Sequence, residues 1–287
     1  QKKWYWRYIM GLKPLRKASS LTLGKAVHTA FDMYYKGKDI QDIVNYVDKL
    51  YKDEMSKVPL EDQESVYLDG KAVLGMFLNY PYKQLKFDDI ESEVEFKIKL
   101  ARGIRYVGRV DGRVLHLNKR WVREVKTTGE DKIQFEKKMH TSAQNTGYVF
   151  GVREATGEKI HGVICDYLRK PRLIKRQSEN MQEFGQRIFQ DYADKKKQSM
   201  YFHRAFTYRT PGDIARWKAD VLNTCAHLRK CMKDKAYSRN TTACWMYRTE
   251  CPYYRICFSD KVDPMMIDLF YEKKGGIDEG KVCNTRP

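Results

Sequence analysis

The sequence predicts an α/β (α+β) fold: a mixed central sheet flanked by helices, with an additional lobe of helices and clustered cysteines. Three observations lead there. Helical periodicity between Leu23 and Pro81 gives way near Ile90 to strand-like alternation. A further helix follows, and then a strand compatible with the same sheet. Finally, Cys231, Cys244, Cys251 and Cys257 crowd one stretch near the C-terminus. A chain of 287 residues, 42% hydrophobic and 32% charged, can bury a substantial core and is not the profile of a disordered protein.

Leu23, Val27, Ala30, Phe31 and Tyr34 recur at helical spacing, with Thr22 as the expected N-cap. Two more helical patterns, about 40–56 and 61–80, form a helical insertion before Pro81 interrupts the chain. Glu91–Leu100 alternates, Arg105–Leu115 is rich in Val and Tyr, and Trp121–Lys126 is a third short run, which together predict a three-stranded antiparallel meander. A helix over about Glu136–Val152 and a strand over Ile160–Leu168 come next, and 178–235 reads as helical. After Pro264 the chain, with Lys273-Lys274-Gly275-Gly276, reads as loop. The expected organisation is a core over 21–175, a helical and cysteine lobe from 1–20 and 176–262, and a tail over 263–287.

Charge narrows the partner. Lys and Arg total 55 against 37 Asp and Glu, a formal net charge of +18. Such a surplus suits a phosphate backbone, since each neutralised phosphate releases condensed counterions. The 20 Tyr, 12 Phe and 5 Trp interleave with the basic positions, as a surface that stacks unpaired bases requires. No stretch approaches the roughly 20 apolar residues of a membrane span. The N-terminal run Gln1-Lys2-Lys3-Trp4 is too polar for a signal peptide, so a soluble, cytoplasmic protein is expected.

Acidic residues supply the candidate chemistry. With a turn centred on Asn118-Lys119, Asp111 faces Lys126 and Arg113 faces Glu124, which makes Asp111 and Glu124 diagonal neighbours with Cα atoms roughly 7–8 Å apart. Both carboxylates could then hold one divalent cation. Hard oxygen ligands leave positions on Mg²⁺ or Mn²⁺ for water and a phosphate oxygen, and Lys126 would position the nucleophile or neutralise the phosphate. A lone ExK reads first as a solvated strand face, so companions are needed. Gln144 and Tyr148, four apart on one helix face, could contact DNA beside such a site.

The companions are Gly24-Lys25-Ala26-Val27-His28 (GxxxH), Gly108-Arg109-Val110-Asp111 (GxxD), Glu124-Val125-Lys126 (ExK) and Gln144-Asn145-Thr146-Gly147-Tyr148 (QxxxY). In order and spacing this set resembles the RecB-like branch of the PD-(D/E)XK nuclease superfamily over roughly residues 21–170. The C-terminal cysteines extend the resemblance toward the Cas4-like, iron–sulfur nucleases, and most of all toward phage-encoded exonucleases of that group. The resemblance implies a restriction-endonuclease-like core. It implies His28, Asp111, Glu124 and the Val125 carbonyl as metal ligands, and Lys126 as the catalytic lysine. A phage-encoded enzyme would work in the cytoplasm of a bacterial host.

Cys244, Cys251 and Cys257 have the spacing C-x6-C-x5-C, suited to zinc or an iron–sulfur cluster with four protein ligands. In the resembling nucleases a [4Fe-4S] cluster, rather than zinc, takes its fourth cysteine from near the N-terminus, before an aromatic-rich segment like Trp4-Tyr5-Trp6. Here no cysteine stands there. Three alternatives remain open: a ligand immediately upstream of Gln1, which is favoured because the resemblance runs out at that position; Cys231 in its place; or an incomplete cluster. Gly275–Lys281 fits GxxxxGK, but Val282 stands where a P-loop needs Ser or Thr.

The expected function is therefore a Mg²⁺- or Mn²⁺-dependent DNA nuclease, an exonuclease of DNA replication, recombination or repair acting on a single strand or duplex end. Homo-oligomerisation or recombination partner proteins fit the same picture. The alternatives are a non-catalytic or Cas4-like DNA-binding component of a recombination or CRISPR-adaptation complex, and a zinc-stabilised RNA-binding module.

Overall fold

Three long helices precede the sheet: α1 (Ser19–Tyr35), α2 (Ile40–Met55) and α3 (Leu60–Asn79). The apolar stripes that predict them are buried. Val27, Ala30 and Phe31 of α1, Ile43 and Val47 of α2 and Val73, Met76 and Phe77 of α3 share one cluster. Helix α1 is already running at Ser19, so Thr22 lies inside it and is not its N-cap. The computed structural model describes residues 1–15, 19–84, 87–246, 249–259 and 262–275.

Five strands follow: β1 (Asp89–Ala101), β2 (Ile104–His116), β3 (Lys119–Thr128), β4 (Ile160–Arg169) and β5 (Phe202–Tyr208), in the spatial order β1-β2-β3-β4-β5. Strands β2 and β3 are antiparallel, β3 and β4 parallel, and β4 and β5 antiparallel, which makes the sheet mixed. Parallel neighbours need a crossover. It is supplied by α4 (Lys132–Thr141) and α5 (Ala143–Thr156). These helices cover one face through Phe135, Met139, Val149 and Val152, which pack on Val122, Val163 and Cys165. Val125, Leu168 and Phe202 bury against α1, α2, α3 and α6 (Met181–Ala193). A strand buried on both faces loses its alternation, and β3 shows it: Trp121 to Val125 are all buried.

Several expectations are corrected. The single helix over Glu136–Val152 is two, because Ser142 leaves the helical conformation and its side chain accepts the Asn145 N–H as the N-cap of α5. The stretch 178–235 is not wholly helical. Between α6 and α7 (Pro211–Lys233), β5 adds a fifth strand whose Phe202, Arg204 and Thr207 are buried. The β2–β3 turn is centred on Leu117-Asn118, not Asn118-Lys119. Both residues have left-handed backbone, φ 50° and 57°, which is the two-residue type I′ geometry of a tight hairpin. The register moves accordingly: Arg113 faces Val122, and Gly112 faces Arg123.

The chain divides into two compact units. One comprises Ser19–Leu100 and Arg105–Trp217; the other comprises Gln1–Ala18, Ala101–Ile104 and Lys218–Pro287. In the latter, a helical turn (Lys2–Trp4) runs into a π-helical turn (Tyr5–Ile9), and strand Leu12–Pro14 pairs antiparallel with Tyr271–Lys273. Its core is Trp6, Leu12, Tyr253, Ile256 and Tyr271. The expected loop after Pro264 is instead a helix, Pro264–Phe270, capped by the Asp263 side chain, and then that strand. Cys283 and all of the GxxxxGK segment after Gly275 lie outside the described residues. Among the described residues no helix is long and apolar enough to cross a membrane.

Candidate active site

The β2–β3 ladder ends at Gly112↔Arg123, and the next residues along are Asp111 and Glu124. There Asp111 Oδ2 accepts the Val125 N–H at 2.7 Å, so a side chain takes a main-chain donor at the ladder's end. Its other oxygen, Oδ1, lies 2.8 Å from His28 Nδ1, which α1 brings in from a distant part of the sequence. Glu124 Oε1 forms an ion pair with Lys126 Nζ. Lys126 Nζ also donates to Gln144 Oε1 at 3.2 Å, and Gln144 Nε2 donates to the Tyr148 hydroxyl at 2.7 Å.

Local structure explains these meetings. In a parallel crossover the helix runs back along the strands, so the start of α5, with Gln144, returns to the C-terminal end of β3, with Lys126. One helical turn later, Tyr148 stands on the same side of α5. Helix α5 approaches the sheet closely at Gly151, where a Cβ would fall 2.3 Å from the Phe96 ring. On β3 itself, buried Arg123 donates to Asp166 at 3.0 Å, and Arg204 donates to the same carboxylate at 2.6 Å and to the Tyr80 hydroxyl at 3.2 Å. Two guanidiniums and one carboxylate therefore tie β3, β4 and β5 together beside the Glu124 position.

Burial sets the charges. Glu124 is 2% exposed, and burial, reinforced by the Asp111 charge and opposed by Lys126, raises its pKa from 4.5 to about 7. Burial alone would lower the His28 pKa, but the Asp111 hydrogen bond and the Asp111 and Glu124 charges outweigh it and the net shift is upward. For Lys126, burial likewise pulls down, and the Glu124 carboxylate more than compensates. The Glu124 and Asp111 carboxylates thus favour the Lys126 ammonium, which can donate hydrogen bonds and neutralise charge.

Among the described residues, no three His, Cys, Asp or Glu side chains are grouped to close around a metal ion. The acidic site nevertheless fits a hard divalent cation. Glu124 Oε2 is buried without a hydrogen-bond partner, an acceptor whose desolvation nothing compensates. Oxygen donors from Asp111 and Glu124 suit Mg²⁺ or Mn²⁺, and His28 adds an imidazole. Among the described residues the cysteines are not grouped as a metal site. Cys251 and Cys257 border the Trp6 core, where Cys257 Sγ accepts the Trp6 Nε1–H at 3.1 Å. Cys244 offers its carbonyl to the Cys251 N–H, and Cys231 Sγ lies by Gln1 and His227 instead.

Two further carboxylates stand near the site that sequence reasoning did not single out. Glu93 has left-handed backbone, φ 54°, and pairs with Arg109 at 2.7 Å. Burial raises its pKa against Arg109, and Asp111 and Asp32 add to the rise. Asp32 accepts a hydrogen bond from Ser92 at 2.7 Å. For Asp32 a signal was present, since it lies four residues after His28 on α1 and shares its face. Nothing in the alternating run Glu91–Leu100 marks Glu93.

No curated protein matches the chain. The family model described as the PD-(D/E)XK nuclease superfamily matches residues 1–258, most of the chain and both halves of the carboxylate and lysine constellation. With that match over a mixed five-stranded sheet whose Asp111, Glu124 and Lys126 meet at one end of the β2–β3 ladder, the chain belongs to the PD-(D/E)XK nuclease superfamily.

Proposed function

We propose that the protein is a Mg²⁺- or Mn²⁺-dependent deoxyribonuclease of the RecB-like type, working as an exonuclease in DNA recombination or repair. The observation that carries this reading is the buried, unpartnered Glu124 Oε2 beside Asp111, with Lys126 salt-bridged to the other oxygen. Asp111, Glu124, His28 and the Val125 carbonyl would hold the cation. Bound there, a divalent cation supplies a water of lowered pKa and a positive charge at the phosphate.

The chain's own groups do the rest. Lys126, kept protonated, donates toward the phosphate oxygens and offsets the charge that builds there as the water oxygen bonds to phosphorus and the P–O bond to the leaving group breaks. Gln144 bridges Lys126 and Tyr148, and so holds the ammonium in place from the α5 side. The net charge of +18 concentrates DNA around the molecule. Support for end-dependent cleavage and for a phage source comes from the motif resemblance. An iron–sulfur centre has the same support, and iron and sulfide analysis of the purified protein tests it.

A time course on end-labelled linear DNA and on circular DNA, with Mg²⁺, Mn²⁺ or EDTA, tests the reading. Linear DNA is expected to shorten from its ends with either metal, circular DNA to persist, and EDTA to stop the reaction. DNA binding with no metal-dependent degradation of either substrate would replace the nuclease by a non-catalytic DNA-binding component.

A further inference from the structure

A cavity of about 230 Å³ lies next to Lys126. Phe135 and Met139 of α4 and Cys165 of β4 give it apolar walls, Ser142 and Asn145 give it polar groups, and Lys126 itself is part of its lining. Cys165 is the register partner of Glu124 across β3 and β4, so the cavity's floor and the acidic site are adjacent on the sheet.

Asn145 gives this cavity a polar group able to recognise a ligand. Its residue is 3% exposed, its main-chain N–H is held by Ser142 Oγ, and its side-chain amide makes no hydrogen bond among the described residues. The amide is reached from the cavity that it lines, so a ligand there can take the place of water on it. Asn145 lines a space of about 230 Å³, large enough for a planar heterocycle. A nucleobase matches both requirements at once. It offers flat faces to Phe135 and Met139, and an edge on which donor and acceptor stand side by side, the pattern that an Asn amide pairs in bidentate fashion. Lys126 stands in the same lining, and its ammonium pairs with Glu124 of the acidic site.

Resting on the nuclease reading above, we propose that this cavity receives the base of the nucleotide adjoining the scissile phosphate, turned out of the stack, with Asn145 reading its edge. Asn145 thereby becomes a specificity-determining residue, and the cavity a nucleoside subsite beside the hydrolytic centre.

The test compares deoxynucleoside monophosphates with deoxyribose 5-phosphate, which has the same phosphate and sugar but no base, by NMR titration of the whole wild-type chain in EDTA. The base is expected to tighten binding by about tenfold or more. Asn145→Leu, of similar volume, is expected to remove most of that difference and the discrimination among the four bases. Equal binding of the two ligand types by wild type, or no detectable binding of either, overturns the subsite without recourse to any variant. The readout needs no cleavage. Base-dependent binding in a protein that degrades no DNA would keep the subsite and remove the nuclease, whereas degradation with base-independent binding would do the reverse.

Discussion

Replacing Glu124 with Gln should stabilise the metal-free protein while destroying its cleavage of DNA. The carboxyl is buried, and its pKa rises from 4.5 to about 7. That rise corresponds to a penalty on the ionised form on the order of 3 kcal/mol at alkaline pH. The sign follows from linkage. Because the folded pKa is above the unfolded one, the folded state binds more protons between about pH 4.5 and 7. Stability is therefore highest at the acid end of that window, falls as pH rises through it, and levels off above. A Gln side chain has no proton to lose and escapes the fall, yet its oxygen can still accept from Lys126. Loss of the ionic part of that pair offsets some of the gain, leaving about 1–2 kcal/mol at pH 8, or several degrees in Tm for a unit of this size. The assay is thermal unfolding of wild type and Glu124→Gln in EDTA at pH 5 and pH 8. The variant should gain at pH 8 and much less at pH 5. Added Mg²⁺ or Mn²⁺ should raise the wild-type Tm and leave the variant's almost unchanged. A variant equally or less stable than wild type at pH 8 would refute the strained carboxylate, and retained metal-dependent cleavage would remove Glu124 from the site.

Three other outcomes are expected. Lys126→Ala should lose cleavage on linear DNA by orders of magnitude while a gel-shift assay in EDTA still detects DNA binding; cleavage near the wild-type rate would take Lys126 out of the mechanism. Asp166→Ala leaves the Arg123 and Arg204 guanidiniums buried without their shared carboxylate, and should cost about 3–5 kcal/mol in urea unfolding; a loss under about 1 kcal/mol would mean the pair is solvated. Leu117→Asn places a residue that tolerates left-handed backbone at a position with φ 50° and 77% exposure, and should add about 0.5–1 kcal/mol, read in the same denaturation curves.

Much of the molecule is legible along the chain itself because periodicity is a local property. The helices Ile40–Met55 and Leu60–Asn79 and the strands Asp89–Ala101, Ile104–His116 and Lys119–Thr128 coincide closely with runs of helical or alternating spacing. The motif residues, too, are visible by type and order, since their chemistry requires carboxylate, lysine and amide whatever surrounds them. Phe202–Tyr208 escaped because a seven-residue strand between two long helices carries too few positions to stand out, and becomes a strand by pairing with Ile160–Arg169.

Tertiary structure decided the rest, for the physical reason that register, burial and field strength belong to segments far apart in sequence. The hairpin turn settles on Leu117-Asn118 despite an unfavourable leucine there, because the strands on either side bury Val114 and Trp121 together in that register. Only the folded chain brings His28 to Asp111 and Gln144 to Lys126. Only the folded chain leaves Glu124 Oε2 without a partner and forms the cavity of about 230 Å³ lined by Asn145. Composition and spacing name the candidate groups; their desolvation, which sets what those groups can bind, comes from neighbours that no local pattern records.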